Sequence, residues 1–149
     1  MALYAGARRR LDSKTMDDKK LFSSRVLFTC LVLFSWAGMI VHNRVELPML
    51  PLLRPEHIIP TGIYVILLVG WLLQPEYRRL WTWLLFIWVA IHFVVGAGLS
   101  VLPLSIWPFY PEQSIRHYFS HVIYGLTQIP LIWHLVSQLR ALADSDAIR

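Results

Sequence analysis

The chain is short of charge and almost free of cysteine. Charged residues make up 15% of its 149 residues, while hydrophobic residues make up 56% and the mean hydropathy is +0.52. An ordinary soluble domain carries roughly 25% charge, so this balance argues against one. Cys30 is the single cysteine. No intrachain disulfide can form, and Cys30 reads as a small apolar packing residue. Catalytic signatures are missing as well. The sequence has no G-x-x-x-x-G-K-[ST], no H-E-x-x-H, no G-x-S-x-G and no Cys and His nucleophile pattern. Gly96-Ala97-Gly98 lies inside a hydrophobic run, where it cannot cradle phosphate.

Charge is absent altogether from four long runs: Val26 to Asn43, Ile58 to Pro75, Leu80 to Pro111 and His117 to Leu139. A hydrocarbon core about 30 Å thick needs roughly 20 apolar residues at 1.5 Å each, with about 17 as the lower limit. All four runs reach it. The sequence therefore predicts an all-α integral membrane protein, a four-transmembrane-helix bundle with spans at about 24–43, 58–74, 80–102 and 117–139. The first span is expected to be retained, because it ends at His42-Asn43-Arg44 without a small-residue cleavage site. Residues 1–22 form a basic segment, expected to turn helical near Thr15, where Thr15-Met16-Asp17-Asp18 resembles a capping box. Residues 140–149 form a polar tail.

Prolines punctuate the connections. Pro48, Pro51 and Pro55 interrupt the first loop, Gln74 to Arg79 makes a tight turn, and Pro103, Pro108 and Pro111 interrupt the third loop. Pro60 is placed in the opening turn of span two, and Pro130 predicts a kink in span four. The first and third loops resemble each other, Leu47-Pro48 with Pro55-Glu56 recurring as Leu102-Pro103 with Pro111-Glu112. That echo suggests two tandem helical hairpins.

Positive charge is distributed asymmetrically. Arg8, Arg9, Arg10, Lys14, Lys19, Lys20 and Arg25 precede the first span, Arg78 and Arg79 fall between spans two and three, and Arg140 and Arg149 follow span four. Only Arg44, Arg54 and Arg116 lie on the other side. The positive-inside rule then puts both termini in the cytoplasm of a multi-pass protein of the cell (inner) membrane. The net charge of +5 is explained by this topology and by attraction of the N-terminus to anionic lipid headgroups, rather than by nucleic acid. Tyr77, Trp81, Trp83, Trp107, Tyr110 and Tyr118 are placed as interfacial anchors.

Polar residues inside spans must face protein and find partners. His117, His121, Gly125 and Gln128 share one face of span four, with Ser120, Tyr124 and Thr127 beside it. Span one offers Ser35, Gly38 and His42, and span three offers His92, Gly96 and Ser100. Helical rise puts His92 and Gln128 at similar depth, roughly 15 Å from the outer boundary. A structural polar core of His92, Tyr124 and Gln128 is expected, with a hydrogen bond from His92 to Gln128. His92 is also a candidate cofactor ligand for a haem or pigment, or a proton relay.

At the outer boundary, His42, Glu46, Glu56, His57, Glu112, His117 and His121 are expected to converge under the proline-rich loops. Two histidines at i and i+4 present both imidazoles on one face, the spacing zinc sites use. His117 and His121 are thus the leading metal candidates, with His42, Glu46 or His57 as a third ligand. Haem held by His42 and His121 is another arrangement. The favoured function is a non-catalytic subunit or binding protein of a membrane complex, with other membrane subunits or further copies of itself as partners. The alternative is a zinc-type enzyme acting at the outer leaflet. A haem or pigment protein, or an oligomeric transporter, comes third. No span carries Asp, Glu, Lys or Arg to move an ion, so transport would need an oligomer.

Overall fold

The computed structural model describes residues 2–47, 53–107 and 110–147, with side chains described from residue 21 onward. Four helices occupy it: α1 (Ala2–Glu46), α2 (Pro55–Leu73), α3 (Arg78–Ile91) and α4 (Ile115–Ala147). A 3₁₀ turn, Pro75–Tyr77, links α2 to α3, and α3 continues as a π-helical segment, His92–Gly98, and a 3₁₀ turn, Leu99–Val101. No strand occurs among the described residues. The proline-rich lids expected over the outer end fall largely on 48–52 and 108–109, outside the described residues.

Several boundaries differ from the sequence expectation, each for a local reason. Helix α1 starts at Ala2 rather than near Thr15. Residues 2–22 are rich in Ala, Leu, Lys and Arg, and a helix propagating from the apolar segment incurs no fresh nucleation cost. It ends at Glu46, because Leu47 precedes Pro48 and the ring of a proline disfavours helical geometry in the residue before it. Helix α2 opens on Pro55, so Pro60 lies inside it rather than in its first turn. A proline there cannot donate to the carbonyl four residues earlier, that of Glu56. The Asn43 side chain donates to that carbonyl instead, at 3.1 Å, tying α1 to α2. Helix α4 runs through Pro130 and on through most of the tail.

Helix α1 packs on α2 and α4, and α3 packs on the same two. Each sequential pair is in contact, and α4 returns to α1. The buried faces show the expected three- and four-residue spacing. They are Phe28, Val32, Ser35 and Met39 on α1, Tyr64, Leu67 and Trp71 on α2, Thr82, Leu85 and Val89 on α3, and Tyr124, Gln128, Leu131 and Leu135 on α4. The α1–α4 seam closes tightly at Gly38, where an added Cβ would lie 2.6 Å from the Thr127 Cβ. Only a residue without a side chain fits there.

The outward faces are apolar too. Leu27, Phe34, Val41, Val65, Ile66, Ile87, Ile91, Ile123, Leu126 and Trp133 are all exposed. Among the described residues three segments, Leu21–Glu46, Pro55–Leu73 and Pro75–Val101, are long and apolar enough to cross a membrane. Helix α4 is long enough, at 33 residues, but its inward-facing His117, Ser120, His121, Thr127 and Gln128 dilute its hydropathy.

Candidate functional site: a histidine and glutamate cluster where α1 ends and α4 begins

The last turns of α1 present His42 and Glu46 at i and i+4, and the first turns of α4 present His117, Ser120 and His121. Because α1 and α4 pack along each other, these groups meet. Glu46 is the hub: its Oε2 lies 2.6 Å from His117 Nδ1, and its Oε1 accepts from the Ser120 hydroxyl. The His117 and Glu46 side chains are only 8% and 14% exposed, so the contact is shielded from solvent. Ser120 Oγ also lies 3.5 Å from His42 Nδ1.

The π segment completes the cluster. Its wider turn leaves the Gly96 carbonyl facing α4, where it accepts from His121 Nδ1 at 3.0 Å and from the Ser100 hydroxyl at 2.6 Å. A carbonyl oxygen can only accept, so the Nδ1 of His121 carries the proton and its Nε2 the lone pair in the neutral ring. The same holds for His117 against the Glu46 carboxylate. The three imidazoles touch: His42 and His121 centroids are 4.2 Å apart, and His117 and His121 centroids 4.5 Å apart, both edge to face. Tyr124 stacks on His42 at 4.8 Å. A cavity of about 570 Å³ opens against the cluster, lined by His42, Asn43, Glu46, Glu56, Ser100, Tyr110, Glu112, His117 and His121. His117 Nε2 is buried and has no hydrogen-bond partner among the described residues.

No protein-family model, curated protein or solved structure matches this chain.

Of the residues expected to converge, His42, Glu46, His117 and His121 are brought into one network. Glu56 and Glu112 join the cavity wall, and Glu112 also pairs with Arg116 at 2.9 Å. His57 stands apart. It is buried, neither ring nitrogen has a hydrogen-bond partner among the described residues, and no ring contact ties it to the cluster. Its neighbour Glu56 takes the cavity side of α2, and a one-residue step turns a helical side chain by about 100°.

Two cofactor arrangements can be tested on this geometry. Haem held between His42 and His121 does not fit, because axial ligands sit on opposite faces of a macrocycle and these rings are in contact. For a metal ion, His117 and His121 have their Nδ1 atoms engaged by a carboxylate and a carbonyl, the outer-shell pattern of metal-bound histidines. However, among the described residues no group of three or more His, Cys, Asp or Glu is placed to hold an ion.

Deeper in the bundle, the polar core has different partners from those expected. The Gln128 Oε1 accepts from the hydroxyls of Ser35 and, at 3.3 Å, Tyr64, while its Nε2 donates to the Ser35 carbonyl at 3.1 Å and to Thr127 Oγ1 at 3.0 Å. No bond joins His92 to Gln128. His92 lies where the π segment begins and turns its Nδ1 to the Trp88 carbonyl of its own helix at 3.0 Å. Its ring packs edge to face against Trp88 at 4.4 Å and Tyr64 at 5.6 Å. Tyr124 joins the histidine cluster through His42 rather than bonding Gln128 with its hydroxyl. Sequence reasoning missed Tyr64 altogether. The available signal was a phenol near the middle of an apolar span, where a hydroxyl must find a partner.

Proposed function

We propose that this chain is a four-span membrane protein with both termini cytoplasmic. In this reading it is a non-catalytic binding subunit whose outer cavity holds a donor-rich polar group, a hydroxyl or ammonium, of a ligand or partner chain. The fourth span is supported by the outward apolar face of α4, which includes Ile123, Leu126 and Trp133, and by its packing against α1 and α3. A helix packed along two membrane segments shares their slab, and its polar residues are on the protein side. The side of the termini rests on the basic residues that flank the first span and occupy the α2–α3 turn.

The observation that carries the binding role is the acceptor excess in the cavity wall. Three carboxylates and three imidazoles line it, and the buried His117 Nε2 lacks a partner among the described residues. An unmet acceptor in a shielded site is costly, and a ligand N–H or O–H relieves that cost. The non-catalytic reading draws support from the direction of the hydrogen bonds. Ser120 and His117 both donate to Glu46, so the hydroxyl is not passed to an imidazole base as a serine nucleophile requires.

The test is isolation of the full chain from native membrane in mild detergent, alongside Glu46→Gln and His117→Ala variants, with metal analysis and an optical spectrum. A stoichiometric partner or ligand that survives in the wild type and is lost from both folded variants supports the proposal. A lone polypeptide carrying equimolar zinc, with hydrolytic activity that chelation removes, overturns it in favour of the enzyme.

A further inference from the structure

At the opposite end of the bundle, two arginines from different helices flank one aromatic stack, Phe28 on Trp71. Arg25 lies near the start of the apolar segment Leu21–Glu46, and Arg78 opens α3. The Arg78 guanidinium sits over the Trp71 indole, 4.5 Å from the ring centroid, and Phe28, one turn after Arg25 on α1, stacks on the same indole at 3.8 Å, which makes the two like charges neighbours. Arg25 Nε, Arg78 Nε and Arg78 Nη2 are all buried, and none has a hydrogen-bond partner among the described residues. The adjacent Arg79 behaves differently, since it forms an ion pair with Asp146. Neither Arg25 nor Arg78 has a described carboxylate partner.

This arrangement is expensive as it stands. Buried guanidinium N–H groups left unpaired forfeit strong hydrogen bonds, and two neighbouring cations add repulsion. Arginine cannot escape by releasing its proton, because its guanidinium stays charged at any accessible pH. An anion with several acceptor oxygens, able to bridge two planar forks, removes both costs at once. Phosphate has that shape and charge. The level also fits, because Tyr77 and Trp81 flank Arg78 at this end, as aromatic residues do at the headgroup boundary.

We propose that Arg25 and Arg78 form a pocket for a phosphate oxyanion at the membrane boundary on the side of the termini, supplied by a phospholipid headgroup or by free phosphate. The pocket is built by α1 and the α2–α3 turn, at the far end from the histidine cluster. It therefore does not depend on the proposed outer binding role, and either can fail alone.

The test uses the delipidated full chain and its Arg25→Gln and Arg78→Gln variants, with thermal unfolding read against added phosphatidylglycerol, phosphatidylcholine, or inorganic phosphate at constant ionic strength. Stabilisation of the wild type by phosphatidylglycerol, with apparent affinity about tenfold or more weaker in each variant, supports a lipid-fed pocket. Stabilisation by inorganic phosphate with the same variant dependence supports free phosphate as the source. Arg140→Gln, which removes an exposed charge on the same side, should leave either response unchanged. Equal loss in Arg140→Gln would show diffuse attraction and overturn the pocket, as would full binding in both pocket variants or no response in the wild type. If Arg78→Gln does not fold, Arg78→Lys keeps the charge but loses the fork. It should then bind between wild type and Arg25→Gln, and wild-type affinity in it would count against the pocket.

Discussion

Replacing Gln128 with Leu tests the polar core most directly, because the two side chains are similar in size and Gln128 is fully buried. The change removes one acceptor shared by the Ser35 and Tyr64 hydroxyls and one donor shared by the Ser35 carbonyl and Thr127. Much of the network survives. Ser35 and Tyr64 lie 2.8 Å apart and can still bond each other, and the Thr127 hydroxyl keeps the Tyr124 carbonyl at 2.7 Å. One hydroxyl proton is then left without an acceptor. A buried orphan of this kind costs about 1–3 kcal/mol, whereas interhelical polar pairs in bilayers average about 0.6 kcal/mol because the unfolded chain also finds partners. The net loss should therefore be about 1–2 kcal/mol. Adding Ser35→Ala takes away the one partner the buried Tyr64 hydroxyl has left, so the double variant should be less stable than the sum of the single losses predicts, by about 1 kcal/mol. Reversible unfolding in mixed micelles of mild detergent and dodecyl sulfate, followed by helical circular dichroism, measures both quantities. Wild-type stability in Gln128→Leu, or strict additivity with Ser35→Ala, would refute the network as the link between α1, α2 and α4.

Gly38→Ala should destabilise the α1–α4 seam by about 1–3 kcal/mol through overpacking, and Thr127→Gly in the same chain should recover part of it; the same micelle unfolding decides. With Cys30 replaced by Ser, a cysteine at Ser105 should react with an impermeant thiol reagent added outside intact cells, and one at Ser145 should not; the reverse pattern inverts the topology. Glu46→Gln retains one acceptor for two donors, so either His117 or Ser120 is released, and the His117 ring nitrogen resonances should shift while those of His92 stay in place. Glu112 is held below the ordinary carboxylate range by the Ser114 hydroxyl and then by Arg116. Arg116→Gln should raise its titration midpoint, as read by carboxyl carbon chemical shift. A carboxyl lowered on folding contributes stability above its unfolded midpoint and loses it as pH falls through the folded one, so acid should weaken this contact.

How much of this was visible in the residues alone differs from one part to the next. Hairpin connections and buried faces were legible because prolines, charge-free runs and helical periodicity act locally. The meeting of His42 and Glu46 with His117 and His121 was legible as well, since the first two close α1 and the last two open α4. Depth along a helix can be counted at about 1.5 Å per residue, which is how these groups were expected at one level. It could not say which of them touch. His92 and Gln128, placed at one level by that count, take different partners, because rotation about each helix axis also matters and a single residue turns a side chain by about 100°.

The sequence by itself determined that this chain is helical, that most of it suits a membrane, and that His42 and Glu46 close one helix while His117 and His121 open another, since composition and period act without reference to neighbours. Tertiary structure alone decided three further things: the π segment that turns the Gly96 carbonyl to His121, the separation of His57 from the cluster, and the stacking of Phe28 on Trp71 that places Arg25 and Arg78 about one ring pair. Each depends on the relative rotation and offset of helices far apart in the chain. Those are set by packing many side chains at once, as at the Gly38–Thr127 contact, and no local pattern encodes them.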